Sequence, residues 1–324
     1  MNKNAFFVLI LVLSVSFLDA QNLKTGVMVL AHGGGNHWNQ MILDATSGIS
    51  VQYPTEVAFC MALPRTMQEA IDKLESKGVE RIVVVPLFIS SHSFIIRQSE
   101  YLLGLRDVLA DPPLIMDHSA MTTENMANKD HSSNPSGNNH SSSAPHHKGH
   151  EMGDNTLDQL KTKSKIIFTN PLDDHPLVAQ IIYERIKELS TNPGEEIVIL
   201  VGHGPNPEED NKKWIDDMES IVDQVRVMQR ESEKLSKMIL AITVRDDADK
   251  AIYEQAKENL RNLVVQGSKQ GKVIIVPLFL SAGGAEQKIK TRLEGLAYIW
   301  NGKTLLPDEK ISDFILQSVM GALK

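Results

Sequence analysis

The feature that most constrains this chain is an internal repeat. The run Val27-Met28-Val29-Leu30-Ala31-His32-Gly33 returns as Val198-Ile199-Leu200-Val201-Gly202-His203-Gly204. A second run, Arg81-Ile82-Val83-Val84-Val85-Pro86-Leu87-Phe88-Ile89-Ser90, returns as Lys272-Val273-Ile274-Ile275-Val276-Pro277-Leu278-Phe279-Leu280-Ser281. Between them each half carries a further β-like run, 56–62 and 238–244, and then a helical pattern, 65–77 and 248–263. The halves also close alike, with strand 165–168 leading to helix 176–189, and strand 297–300 leading to helix 311–323. Short continuous Val/Ile/Leu runs separated by amphipathic helices read as parallel strands buried on both faces. The expected fold class is therefore α/β: two similar doubly wound parallel-sheet lobes from an internal duplication, with a cleft between them. The halves divide at 21–191 and 192–324. Right-handed crossovers gather the C-terminal ends of a lobe's strands on one edge, where ligands of such sheets bind.

Two segments stand outside the repeat. Lys3, the apolar run Ala5 to Leu18 and the small residue Ala20 have the layout of a secretory signal, so residues 1–20 are expected to be a signal peptide and the protein to be exported, to a periplasm, without a stable membrane anchor. Residues 117–156 contain no Val, Ile, Leu or Phe and cannot bury enough apolar surface to fold, so they read as a disordered insert in the first lobe. The insert holds His118, His131, His140, His146, His147 and His150, more than half of the chain's 11 histidines. The cluster at His146, His147 and His150 reads as a flexible metal-holding tract, because neutral imidazole suits Co²⁺, Ni²⁺, Fe²⁺ and Zn²⁺. The single cysteine, Cys60, sits in an apolar run and offers no disulfide framework. A net charge of −8 with interleaved signs argues against nucleic acid as a partner.

The candidate chemistry lies where strands end. His32 stands between an apolar run and the triplet Gly33-Gly34-Gly35, and His203 repeats the placement between Gly202 and Gly204. His92 follows the second repeated strand, so His32 and His92 are expected to face one cavity, as catalytic groups and metal donors. The second half has no histidine there but has Glu286, a carboxylate able to serve as base or metal ligand beside His203. Arg97, Lys212 and Lys213 are candidates for pairing with anionic substituents. Other enzyme classes fit less well: the chain has no Gly-x-Ser-x-Gly nucleophile elbow, no Arg before either His-Gly pair, and no dinucleotide or phosphate-loop glycine spacing. No nucleotide cofactor is implied.

The strand-His-Gly motif, the Pro-Leu-Phe-Ile/Leu-Ser strand ends, the loop Pro171-Leu172-Asp173-Asp174-His175-Pro176, the tandem halves and the histidine-rich insert together resemble the sirohydrochlorin cobaltochelatase/ferrochelatase family, the class II chelatases. The resemblance implies an ATP-independent lyase that inserts a divalent metal, Co²⁺, Fe²⁺ or Ni²⁺ taken as substrate, into sirohydrochlorin or a related tetrapyrrole of cobalamin- or sirohaem-type biosynthesis. It maps the two active-site histidines to His32 and His92, although relatives commonly carry the second histidine at the position held here by Phe94. A homodimer is compatible with the sequence. The competing expectation is an exported metal-, haem- or corrinoid-binding protein without turnover, which would also need a cleft and a histidine-rich tract.

Overall fold

The structure, a computed structural model, describes residues 23–59, 61–109 and 157–324. The leader at 1–20, Cys60, and the insert with His146, His147 and His150 lie outside the described residues.

The first sheet contains β1 (Thr25–Ala31), β2 (Thr55–Phe59), β3 (Arg81–Leu87) and β4 (Lys165–Phe168), in the order β2-β1-β3-β4. The second contains β5 (Glu196–Gly202), β6 (Met238–Thr243) and β7 (Lys272–Leu278), in the order β6-β5-β7. Every pairing within the sheets is parallel. The intervening helices are α1 (Asn36–Ser50), α2 (Pro64–Ser76), α3 (Phe94–Leu102), α4 (Pro176–Leu189), α5 (Glu208–Glu231), α6 (Lys250–Ser268), α7 (Gly284–Arg292) and α8 (Glu309–Ala322). Strand and helix alternate throughout the first half and up to α7 in the second, as expected of two doubly wound lobes.

Successive strand side chains point to opposite faces, and the two faces enter different cores. Val27, Val29, Val83, Val85, Val198, Leu200, Ile274 and Val276 share one buried cluster with α1, α4, α5 and α8. Met28, Leu30, Ile82 and Val84 pack outward onto α2, while Ile197, Ile199, Val273 and Ile275 pack outward onto α6. The inner cluster is continuous across both lobes. It is closed by an exchange of helices: α8, from the end of the second half, packs on α1 and β3, and α4, from the end of the first half, packs on α5 and β7. At roughly 1.5–3 kcal/mol for each fully buried aliphatic side chain, this shared layer couples the lobes.

The second half departs from the expected pattern at its last strand. The segment 297–300 forms an isolated bridge, Ile274 with Ile299, rather than a strand. Ile299 N–H donates to Val273 O and Ile275 N–H to Ile299 O, but Gly295 and Gly302, both at positive φ, turn the chain away on either side. The connection between the halves, Ser190 to Glu196, is pinned by the buried Glu196 carboxylate. It accepts from the Ser190 hydroxyl and from the Thr191 and Asn192 N–H groups, and although burial opposes ionisation, these bonds hold its pKa below the usual range.

The register sets the site. Ala31 lies level with Phe59 and Leu87, and Gly202 with Thr243 and Leu278, so each sheet ends flush and its following residues line one edge.

Candidate functional site

A cavity of about 340 Å³ opens where the two edges meet. His32, Trp38, Met61, Phe88, Phe94 and Ile95 form one wall, and His203, Trp214, Asp247, Phe279 and Leu280 form the other. Its walls are mainly aromatic and aliphatic, with two imidazoles and one carboxylate at equivalent or neighbouring strand ends. A wider space of about 510 Å³ lies over α5 and α6, but no histidine lines it.

His32 leaves β1 directly into a glycine turn. At Gly34 a Cβ would stand 2.9 Å from the Trp38 ring, so only glycine lets the loop pass under the indole. The His32 ring meets Trp38 edge-on, with centroids 6.0 Å apart. Its Nδ1 lies 2.6 Å from Gly33 O. A carbonyl can only accept, so Nδ1 carries the proton and the neutral ring keeps its lone pair on Nε2, which has no hydrogen-bond partner among the described residues.

His203 is built on the same plan with a different outcome. Gly204 has φ +73, and a Cβ there would collide with Thr243 at 2.5 Å. His203 Nδ1 lies 3.0 Å from Gly204 O, while Nε2 lies 3.2 Å from Asp247 Oδ2. Burial works against a charged ring, but the hydrogen bond and charge of Asp247, with Gly204 O and Asp246, outweigh it and raise the pKa of His203. The bond from His203 lowers the pKa of Asp247 in turn; burial opposes this, and the charges of His203 and Lys288 reinforce it.

His92 does not join His32. The Ser93 hydroxyl accepts the Ile96 N–H and starts α3 at Phe94, so Phe94 takes the place on the cavity wall. His92 turns to the second lobe, its Nε2 3.7 Å from Asp217 Oδ2 on α5. Burial first, and then the neighbouring Asp173 charge, push Asp217 up to about 6, with His92 opposing and Asp174 adding. Glu286 does not reach His203 either. It is buried as the N-terminal bracket of α7, Oε2 accepting the Gly283 N–H at 2.7 Å, and burial raises its pKa while Ala285 takes the wall position. Among the described residues no three His, Cys, Asp or Glu side chains are grouped to hold a metal. Of the two expected pairs, His32 with His92 and His203 with Glu286, only the histidines His32 and His203 line the cavity. Of the expected cations, Arg97 holds both oxygens of Asp210, Lys212 pairs with Asp216, and Lys213 is exposed.

Residues 26–107 match the family model of CbiX. The first lobe, from β1 through α3, is thus similar to the CbiX family. An 88-residue stretch of this chain is 28% identical to the sirohydrochlorin cobaltochelatase of Methanothermobacter thermautotrophicus, covering 26% of this chain and 62% of that protein, so the match spans less than two thirds of the curated relative. Among solved structures, the sirohydrochlorin chelatase SirB from Bacillus subtilis subspecies spizizenii, in complex with cobalt, superposes with a TM-score of 0.53 at 14% identity, covering 93% of this chain and 96% of that one. SirB from Bacillus subtilis with Fe³⁺ gives 0.56 with the same identity and coverage. CbiX, described as the terminal enzyme for biosynthesis of sirohaem in denitrifying bacteria, gives 0.51 at 14% identity over 92% of this chain and all of that one. At this identity the structural likeness establishes the fold, two α/β lobes around a cleft.

The residue that sequence reasoning missed is Asp247. Its signal was present: Arg245-Asp246-Asp247 follows β6, whose end lies level with that of β5. A carboxylate so close behind that strand was bound to arrive beside the ring of His203. The aromatic walls suit a flat apolar ligand, and His32 Nε2 offers it one electron pair.

Proposed function

We propose that this chain is a metal chelatase of tetrapyrrole biosynthesis, inserting Co²⁺ or Fe²⁺ into sirohydrochlorin or a closely related macrocycle. The observation that carries the reading is the free Nε2 of His32 in an aromatic-walled cleft between duplicated lobes. The match of residues 26–107 to the CbiX family model and the activity named for the archaeal relative support it.

Insertion exchanges two pyrrole N–H protons for one divalent ion, so the protein must hold the macrocycle, present the metal and accept protons. Phe88, Phe94 and Phe279 give flat surfaces against which the ring stacks. His32 Nε2 has one lone pair and serves one partner at a time. It first donates to the incoming metal, and once the metal passes to the pyrrole nitrogens the freed pair takes the two displaced protons in turn, releasing each to water near neutral pH. The macrocycle nitrogens and water complete the metal's coordination. Imidazole suits cobalt, iron and nickel alike, so metal supply has a large part in selecting the product.

The test is a multiple-turnover assay following the visible absorption of sirohydrochlorin with Co²⁺ and, separately, with Fe²⁺. The reading predicts metallation well beyond one equivalent per protein. Tight binding of metal or macrocycle without acceleration over the protein-free rate would instead identify a carrier.

A further inference from the structure

The duplication supplies two histidines to one cleft, but their ring nitrogens are not equally available. Gly204 O accepts from His203 Nδ1 and the Asp247 carboxylate accepts from Nε2. Neither acceptor can donate, so both nitrogens must carry protons for both contacts to be hydrogen bonds. The first lobe lacks the second acceptor. Ala31, before His32, pairs with Phe59, as Gly202, before His203, pairs with Thr243. The step along the chain that leads from Thr243 to Asp247 leads from Phe59 to Leu63, an apolar residue that precedes α2 and makes no side-chain cap.

We propose that Asp247 is a positioning residue that withdraws His203 from metal binding: it holds the ring as an imidazolium with no lone pair, leaving His32 Nε2 as the metal-donating imidazole nitrogen of the described cleft. This rests on the reading of the cleft as a metal-handling site and adds which half of the duplication does the work. Lys288, its Nζ 4.0 Å from Asp247 Oδ1, helps keep Asp247 ionised. The Asp247 side chain is 68% exposed, so the pair is weak in water. A macrocycle that covers the cleft removes that water and strengthens it. One donor imidazole also suits a site that must release its metal, because each further protein ligand has to be broken before transfer.

The test uses the full chain labelled with ¹⁵N-histidine and titrated with Zn²⁺ alone, a diamagnetic stand-in for Co²⁺ and Fe²⁺. The rings of His32 and His203 are identified by their loss in His32→Gln and His203→Gln. Before metal, both His203 nitrogens should resonate as protonated and His32 should show one unprotonated nitrogen, assigned to Nε2. On titration the His32 ring should shift and the His203 ring should not. In His203→Gln the Zn²⁺ concentration that half-shifts His32 should stay close to wild type, against the roughly 10–100-fold weakening typical of losing a group that supports a metal site. Asp247→Leu, a surface change that copies the first lobe, should give His203 an unprotonated nitrogen and a metal response. An unprotonated His203 nitrogen in the wild type, or a wild-type His203 that shifts together with His32, would overturn the proposal. If Zn²⁺ moves neither ring in any variant, the metal-handling reading fails. The metal-free spectra then still decide whether Asp247 holds His203 protonated.

Discussion

Arg97 on α3 reaches from the first lobe to the second and holds both carboxylate oxygens of Asp210, Nη1 to Oδ1 at 3.2 Å and Nη2 to Oδ2 at 2.8 Å. A bidentate pair is among the stronger hydrogen-bonded contacts available to a protein, and this one bridges the lobes close to the cavity. That cavity, about 340 Å³, lies near the lower end of the range of roughly 300–1,000 Å³ that drug-sized ligands occupy. On the proposed reading a tetrapyrrole with its acidic substituents needs more space than this, so the lobes should part before it enters. If the pair is worth about 1 kcal/mol, Arg97→Gln should speed macrocycle association about fivefold. Stopped-flow quenching of Trp38 and Trp214 fluorescence would read this, and an unchanged rate would show that the cleft opens elsewhere.

Asp217 makes a second cross-lobe contact, and its energetics carry a sign. Its folded pKa of about 6 lies above the ordinary aspartate value of 3.8, so the folded state binds the proton more tightly than the unfolded state. Stability is therefore lost as pH rises through that window, and the full cost remains above it. Asp217→Asn should be more stable than wild type at pH 8 by about 1–2 kcal/mol, with the difference vanishing below about pH 4. Urea unfolding across pH checks it; a variant less stable at pH 8 would mean that the contact with His92 outweighs burial and the repulsion from Asp173.

His92 lies beside Asp217 and outside the cavity lining, whereas Phe94 is part of the wall. Loss of a true acid–base group costs about 10²–10⁴-fold. His92→Ala should therefore lose less than about tenfold in kcat, with any change appearing in KM through the lobe contact. A loss of kcat on the larger scale would place His92 at the reacting centre.

Phe314 on α8 is 2% exposed and stacks edge-on against His175 at 5.1 Å, inside the core that both lobes share. Phe314→Ala should cost about 3–5 kcal/mol. Because α8 packs on the first lobe while its sequence belongs to the second half, calorimetry should show the whole transition moving down in temperature as a single peak. Separation into two peaks would show that the lobes unfold independently.

The repeat made the architecture legible because each buried strand had to be a continuous apolar run, and two runs recurred in order. What the sequence did not carry was partnership. Helix α4 and helix α8 have similar apolar faces, and either sheet offers an inner surface to cover, so their exchange depends on the lengths and directions of their loops. The pairing at 297–300 fell to one bridge because Gly295 and Gly302 divert the chain, although the run Ala297-Tyr298-Ile299-Trp300 reads as a strand. At the site, strand ends located His32 and His203 correctly on one edge. His92 and Glu286 went astray for a related reason, since each stands beside a helix start whose local capping, by Ser93 and by Glu286 itself, decides which side chain turns inward.

If the cleft works from His32, the two halves of the duplication differ in turnover. Steady-state metallation of sirohydrochlorin by wild type, His32→Ala and His203→Gln at catalytic protein concentration reads this difference. His32→Ala should lose about 10²-fold or more in kcat while His203→Gln retains most of it. Full activity in His32→Ala, or an equal loss in both variants, would contradict it.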